Sequence, residues 1–211
     1  MNWILLILIS MGSAHLSPTS SPAAPIAASV NGLRTGDIIF QTSTSDQSLA
    51  IRLATHSDYS HCGMIFEDEN GLRVFEAVQP VKSTPLKDWI ARGEGGHYVV
   101  KRLRNADEAF MPAALASLDS MRTVADGKDY DLLFGWDDEQ YYCSELVWKL
   151  LKCSTGLEVG KTQLLGEFDL SHPLVKMKLR ERYGQDIPLE ETVISPGNIF
   201  ESDLLEVVES N

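Results

Sequence analysis

Chemistry in this chain can start from Cys143. The segment from Cys143 to Cys153 carries Leu146, Val147, Leu150 and Leu151 at helical spacing, so Cys143 opens the apolar face of a predicted helix. A thiol there lies at the positive end of the helix, where free N–H groups and the macrodipole favour thiolate. Reactive thiols in such places ionise at roughly 3.5–7.5, against about 8.5 when free. The same N–H groups can hold the oxyanion of a tetrahedral intermediate. Read alone, Cys143 is equally a small apolar core residue.

His61 shifts that balance. It enters an apolar run, Cys62 to Phe66, straight after the polar stretch His56-Ser57-Asp58-Tyr59-Ser60, a poor place to bury an idle imidazole. Glu76 sits in the returning strand Val74-Phe75-Glu76-Ala77. If the intervening loop spans Glu67 to Asn70, Phe66 pairs with Gly71 and His61 lies opposite Glu76. Their Cβ atoms would then be about 5 Å apart, close enough for the carboxylate to fix the imidazole tautomer. If Asn70-Gly71 is a tight two-residue turn, Glu76 pairs with Ile65 and the arrangement fails. Both turns remain open. The predicted set is Cys143 as nucleophile, His61 as general base and Glu76 as orienting carboxylate.

Other reactive side chains have plainer readings. Successive strand residues face opposite sides, so Cys62 is expected to pack in the core, away from His61. Cys153 is expected to pack along the helix. His56 reads as a helix C-terminal histidine favoured by the dipole. His97 and His172 have no nameable partner, and Glu190-Glu191 with the acidic tail reads as a solvated face. Three cysteines are an odd number, which forces at least one free thiol. No Cys or His spacing suits zinc, and neither a metal nor an organic cofactor is predicted.

Around these residues the sequence predicts a strand over 33–41 and a short helix from Ser45 or Asp46 to about His56. Strands follow at Cys62–Phe66 and Leu72–Val78. Trp89-Ile90 falls in a short helix and Tyr98 to Leu103 in another strand. Asn105 and Glu108 suggest a capping box for an Ala-rich helix reaching Ala125, disturbed by Pro112 and closed by Gly127. An aromatic, acidic loop covers 128–141. A later helix runs from Ser171 to Tyr183, and Ser195-Pro196 starts another before a last short strand.

The chain has 211 residues and a formal net charge of −12. That charge argues against a nucleic-acid partner and against docking on anionic lipid heads, though not against a groove for a lipid tail. Residues 3–11 form a nine-residue apolar run followed by small residues, too short to span a bilayer, which takes about 20. The sequence therefore predicts a signal peptide over 1–14, a flexible Pro/Ser/Ala-rich leader over 15–31 and one domain over 32–211. A periplasmic or secreted protein follows, or one anchored by an uncleaved N-terminal segment.

Several of these stretches resemble one family. Tyr142-Cys143-Ser144-Glu145-Leu146-Val147 resembles the Cys-Ser-x-Leu-Val helix start of NlpC-type cell-wall peptidases. Gly127-Lys128-Asp129-Tyr130-Asp131 is similar to their Gly-x-Pro-Tyr segment, with Asp129 in place of proline. Thr35 to Phe40 resembles their Pro-Gly-Asp-hydrophobic strand, and Ser60 to Ile65 their histidine-bearing strand. Their third polar residue falls at Glu76. In those peptidases the cysteine precedes the histidine; here His61 comes first, which matches the circularly permuted, YiiX-like branch from Thr35 to about Glu191.

The resemblance implies a papain-like α+β fold, NlpC-type and circularly permuted, with the cysteine helix packed on an antiparallel sheet. It assigns Cys143, His61 and Glu76 the roles given above, and Tyr130 or Tyr142 a substrate or oxyanion contact. The implied activity is a cysteine amidase or endopeptidase acting on peptides, with peptidoglycan fragments as substrate class. Two alternatives stand beside it: acyl hydrolysis or transfer on lipids, and a non-catalytic module that keeps only the groove.

Overall fold

The centre of the molecule is built from strands whose residues are apolar on both faces. The structure is a computed structural model describing residues 32–211. The predicted signal peptide and leader lie outside the described residues. Strand β1 (Ile38–Gln41) is buried at every position, and β2 (His61–Asp68) at five consecutive positions. Such runs suit a sheet covered on both sides.

A six-stranded antiparallel sheet forms in the order β4-β3-β2-β1-β5-β8, using also β3 (Gly71–Glu76), β4 (Lys82–Pro85), β5 (Val99–Leu103) and β8 (Leu205–Ser210). One face packs Ile38, Phe40, Cys62, Met64 and Phe75 against α5 (Cys143–Thr155) through Leu146, Val147, Leu150 and Leu151. The other face packs Ile39, Ile65, Val74 and Val100 against Trp89 of α2 (Leu86–Ala91). A third cluster joins α1 (Asp46–Thr55) to α6 (Pro173–Tyr183) through Ala50, Val175 and Leu179, with Val193 of the small hairpin β6 (Gln163–Leu164) and β7 (Thr192–Val193). The α+β architecture is as expected, and among the described residues no helix is long and apolar enough to cross a membrane.

Local chemistry sets the helix ends. The Ser45 side chain accepts from the Ser48 amide at 3.1 Å to start α1, which ends at His56 in the left-handed region. Gly156 closes α5 with φ 75°, as a residue without Cβ can. One expectation fails here. Asn105 makes no side-chain cap; it precedes a four-residue helix, α3 (Ala106–Ala109), and α4 (Pro112–Ala125) starts separately with Pro112 at its first turn. Proline is accommodated there because its missing N–H has no partner in the helix anyway. The tail helix α7 (Pro196–Phe200) begins at Ser195, whose Oγ accepts from the Asn198 amide at 3.0 Å. The expected strand over 33–41 shortens to β1, because Gly36 (φ 94°) and the Asp37 carboxylate, clamped by Arg102 at 2.6 and 2.7 Å, shape a turn before it.

Candidate active site

Cys143 is the first residue of α5. Tyr142 before it is extended (φ −98°, ψ 166°), and its N–H donates to the Glu145 carboxylate at 3.3 Å. Ser144 donates to the Ile194 carbonyl at 2.8 Å, and the Tyr142 hydroxyl accepts from the Ile194 amide at 3.1 Å. The helix start is thus pinned to the segment ahead of α7, and the backbone on either side of Cys143 is fixed.

His61 opens β2 between Glu76, to which it is hydrogen-bonded, and Cys143, whose charge also favours its protonated form. The contact to the Glu76 carboxylate is made by Nε2 at 2.7 Å, which leaves Nδ1 for the thiol. The ring also stacks on Trp89, centroids 5.8 Å apart and 24° between planes. The structure therefore brings Cys143, His61 and Glu76 together in the expected chain of contacts.

The register expected for that contact is wrong in both forms. The ladder pairs Asp68 with Gly71 and Met64 with Phe75, so Glu69-Asn70 is the turn and Glu76 falls opposite Gly63. Glu76 reaches His61 along the diagonal. The bare Gly63 permits this, since a Cβ there would meet Val74 Cγ1 at 2.4 Å and the Phe75 carbonyl at 2.9 Å. Diagonal neighbours in an antiparallel pair are within reach of long side chains.

Glu76 is fully buried and satisfied by four donors. Besides His61, Trp89 Nε1 donates to it at 2.9 Å, Thr84 Oγ1 at 2.6 Å, and Arg92 makes a close ion pair. Burial would raise its pKa, but His61, Thr84 and Arg92 outweigh burial and bring it down to about 2. For His61, burial would lower the pKa, and the hydrogen bonds and charges of Cys143 and Glu76 raise it to about 9 instead. Cys143 is held well below the ordinary thiol value, first by hydrogen bonding from Cys62, against burial, and then by His61. Both shifts favour the thiolate–imidazolium form of the pair.

Cys62 needs a correction. It is buried in the core as expected, but it packs in the same cluster as Cys143 and favours that residue's thiolate. Burial drives its own thiol pKa well up, so it acts as a neutral donor. Cys153 is exposed rather than packed, near the C-terminal end of α5.

A cavity of about 830 Å³ opens beside Cys143. Tyr130 and Tyr142 both line it, where sequence reasoning placed a substrate contact. The Tyr130 amide donates to Gln79 Oε1 at 2.8 Å, and its hydroxyl accepts from Gln47 Nε2 at 3.4 Å. Burial and the Cys143 charge push the Tyr130 hydroxyl's pKa up, with Arg182 and Gln47 pulling the other way. Most of the wall is apolar: Ala50, Ile51, Leu133, Phe134, Leu165 and Leu179 are representative.

Sequence reasoning missed Thr84, Trp89 and Arg92 as the cradle of Glu76. A signal existed: Trp89 and Arg92 are three residues apart at one short helix, hence on one face. Nothing local announced that this face would meet Glu76.

Comparison with known proteins places the chain in a family. Residues 32–209 match the family described as permuted papain-like amidase enzyme, YaeF/YiiX, C92 family. The uncharacterized protein YiiX of Escherichia coli K12 is 53% identical over 175 residues, covering 83% of this chain and 85% of that protein. A crystal structure described as metalloprotein yiiX from Escherichia coli O157:H7 superposes with a TM-score of 0.79 at 52% identity, covering 84% of this chain and 97% of that one.

Proposed function

The chain belongs to the permuted papain-like amidases, and on that premise we propose that it is a cysteine amidase working through an acyl-enzyme, with a substrate whose acyl part is apolar. The observation that carries this reading is the juxtaposition of the Cys143–His61–Glu76 chain with the apolar cavity.

The Cys143 thiolate attacks the amide carbonyl. The developing oxyanion is taken by the Cys143 backbone N–H at the helix start and by the Tyr130 hydroxyl, whose oxygen already accepts from Gln47 and whose proton is left to donate. His61, held as imidazolium, gives its proton to the leaving amine, and the acyl group stays on sulfur. A water then loses a proton to His61 and attacks the thioester, returning the thiolate. Glu76 stabilises the imidazolium and fixes the ring.

Cell-wall peptides, the substrate class implied by the resemblance, are polar along their whole length, and a wall that is mostly apolar around a few polar side chains such as Gln47, Gln79 and Arg182 would leave most of those groups unpaired. An alkyl chain gains about 0.8 kcal/mol for each methylene buried. Lipid-type amides are therefore the favoured class, within an amidase reading. Export of the protein, inferred from residues 1–14, remains part of this proposal.

The Escherichia coli structure is described as that of a metalloprotein. Here the donor set does not fit a metal: His61 Nε2 is spent on Glu76, and both Glu76 oxygens are taken by donors that include a guanidinium. Among the described residues no three His, Cys, Asp or Glu side chains converge as ligands. The steps above use protein groups alone.

The test is a substrate panel of N-acyl amides of increasing chain length beside muropeptides, read by mass spectrometry as an acyl adduct on the Cys143 peptide. Adducts from long-chain amides and none from Cys143→Ala are expected. Adducts from muropeptides alone would overturn the apolar substrate class.

A further inference from the structure

The cavity beside Cys143 contains a cation without an acidic partner. Arg182, half-buried in the last turn of α6, lines the cavity with its guanidinium 3.9 Å from the centroid of the Phe134 ring. The helix dipole favours a cation in that turn, and Arg180 serves it equally. The dipole does not explain why Arg182 folds over an aromatic ring into the cavity. Lys178, which also lines it, is neutralised by Glu181 at 2.9 Å. Arg182 is within ion-pairing distance of no carboxylate among the described residues. Asp131, a buried carboxylate of the loop before α5, accepts from the Leu133 amide at 2.6 Å.

The guanidinium is held in place. Phe134 supports its flat face, and the adjoining Tyr183 is fixed by donating to the Leu133 carbonyl at 2.6 Å. Most of its five N–H donors are left for a ligand. Cys143, Tyr130 and Arg182 all line this one cavity. Arg182 is therefore a cation in the same cavity as Cys143, stacked on a ring and without a carboxylate to satisfy it.

We infer that Arg182 binds a carboxylate or phosphonate-type anion on the substrate, which makes the substrate an anionic amphiphile: an apolar acyl group joined through the scissile amide to an amine bearing an acid group. This rests on the amidase reading above for the word scissile, though not for the binding. The planar fork matches two anionic oxygens at once, which an ammonium cannot do.

The experiment is calorimetric binding to folded Cys143→Ala, using N-lauroylglycine, its phosphonate analogue and the neutral N-lauroylglycinamide. Both acids should bind about 10- to 100-fold more tightly than the neutral amide, the worth of charge-assisted hydrogen bonds. Adding Arg182→Gln should bring the three within about twofold, and Arg182→Lys should restore part of the gap. Equal binding of acid and neutral ligands, a preference that survives Arg182→Gln, or no binding of any of the three would overturn the inference. Turnover by the unaltered enzyme is measured separately. Acids bound through Arg182 and never cleaved would end the amidase reading alone, and acids and neutral amides cleaved and bound alike would end this one alone.

Discussion

Glu76 accepts from His61 Nε2 at 2.7 Å although it stands opposite Gly63 in the β2–β3 ladder, two positions along from His61. The contact crosses the diagonal over a residue with no side chain. That arrangement puts the carboxylate under the sheet's edge, where Thr84 of β4 and Trp89 of α2 can close around it. A directly opposed glutamate would hold the ring from a shorter distance, but farther from those donors. The glycine is therefore part of the site without touching any reacting group.

Gly63→Ala tests this. The new Cβ would fall 2.4 Å from Val74 Cγ1 and 2.9 Å from the Phe75 carbonyl, so β2 and β3 must separate. Overpacking of this kind costs typically about 1–3 kcal/mol. We expect lower stability in urea unfolding, and in the folded fraction a loss of amide hydrolysis beyond the loss of folded protein. A variant with parental activity per folded molecule would show that the diagonal contact tolerates displacement.

Glu76→Gln is expected to damage both activity and stability. Each Glu76 oxygen accepts from two donors, and an amide nitrogen in place of either oxygen would leave buried donors facing a donor. That costs about 1–3 kcal/mol. In the parent the carboxyl is lowered from 4.5 to about 2 on folding, so its stabilisation is present above pH 4.5 and is lost as pH falls through about 2. By linkage this is on the order of 3 kcal/mol. The stability gap between parent and variant should therefore be full at neutral pH and close in acid. Acylation of the folded variant should fall about 10- to 100-fold, within the range of acid–base contributions. A gap that stayed constant down to pH 2 would contradict the assigned ionisation.

How much of this was legible depended on range. The Cys143 helix, the His61 strand and the Ser45 and Ser195 caps follow from residues close in sequence, and each formed where periodicity and capping chemistry placed it. The β2–β3 register turned on two residues of a polar turn, where Glu67-Asp68-Glu69-Asn70-Gly71 allows several closures of similar cost, so both expected registers missed by two residues. The contact still formed because a glutamate side chain is long enough to absorb that error. The Arg92–Glu76 ion pair, the Cys62–Cys143 contact and the cavity wall join segments 16 to more than 80 residues apart. No local pattern encodes which helix face meets which carboxylate. Alternation correctly buried Cys62 and, by treating faces as the whole story, hid its contact with the helix start.

The three thiols should separate by reactivity. Cys143 is held well below the ordinary thiol value, Cys62 is buried with its thiol pushed well above it, and Cys153 is exposed. Thiolate is the reacting form, so brief iodoacetamide treatment at pH 6 should label Cys143 first despite the exposure of Cys153. Peptide mapping checks the order. Labelling led by Cys153 at pH 6 would mean that Cys143 is not a thiolate at rest.

The pH profile follows from the same pair. His61, raised to about 9, keeps its proton through neutrality, and that proton is the one the leaving amine takes. Because the protonated form is the working one and its pKa is raised, activity should be retained below that value and lost as pH rises through about 9. On the acid side Cys143 thiolate survives well below the ordinary thiol range, so the profile should be a broad plateau rather than a narrow bell. Removing the Glu76 charge takes away one of the two partners that raise His61, so in Glu76→Gln the alkaline limb should move to lower pH while the acid limb, set by Cys143 with Cys62 and His61, moves less. The measurement is kcat/KM against pH for parent and variant on one amide substrate. An alkaline limb that stayed in place in folded Glu76→Gln would mean that Glu76 does not sustain the imidazolium, and that Cys143 and His61 form a sufficient dyad.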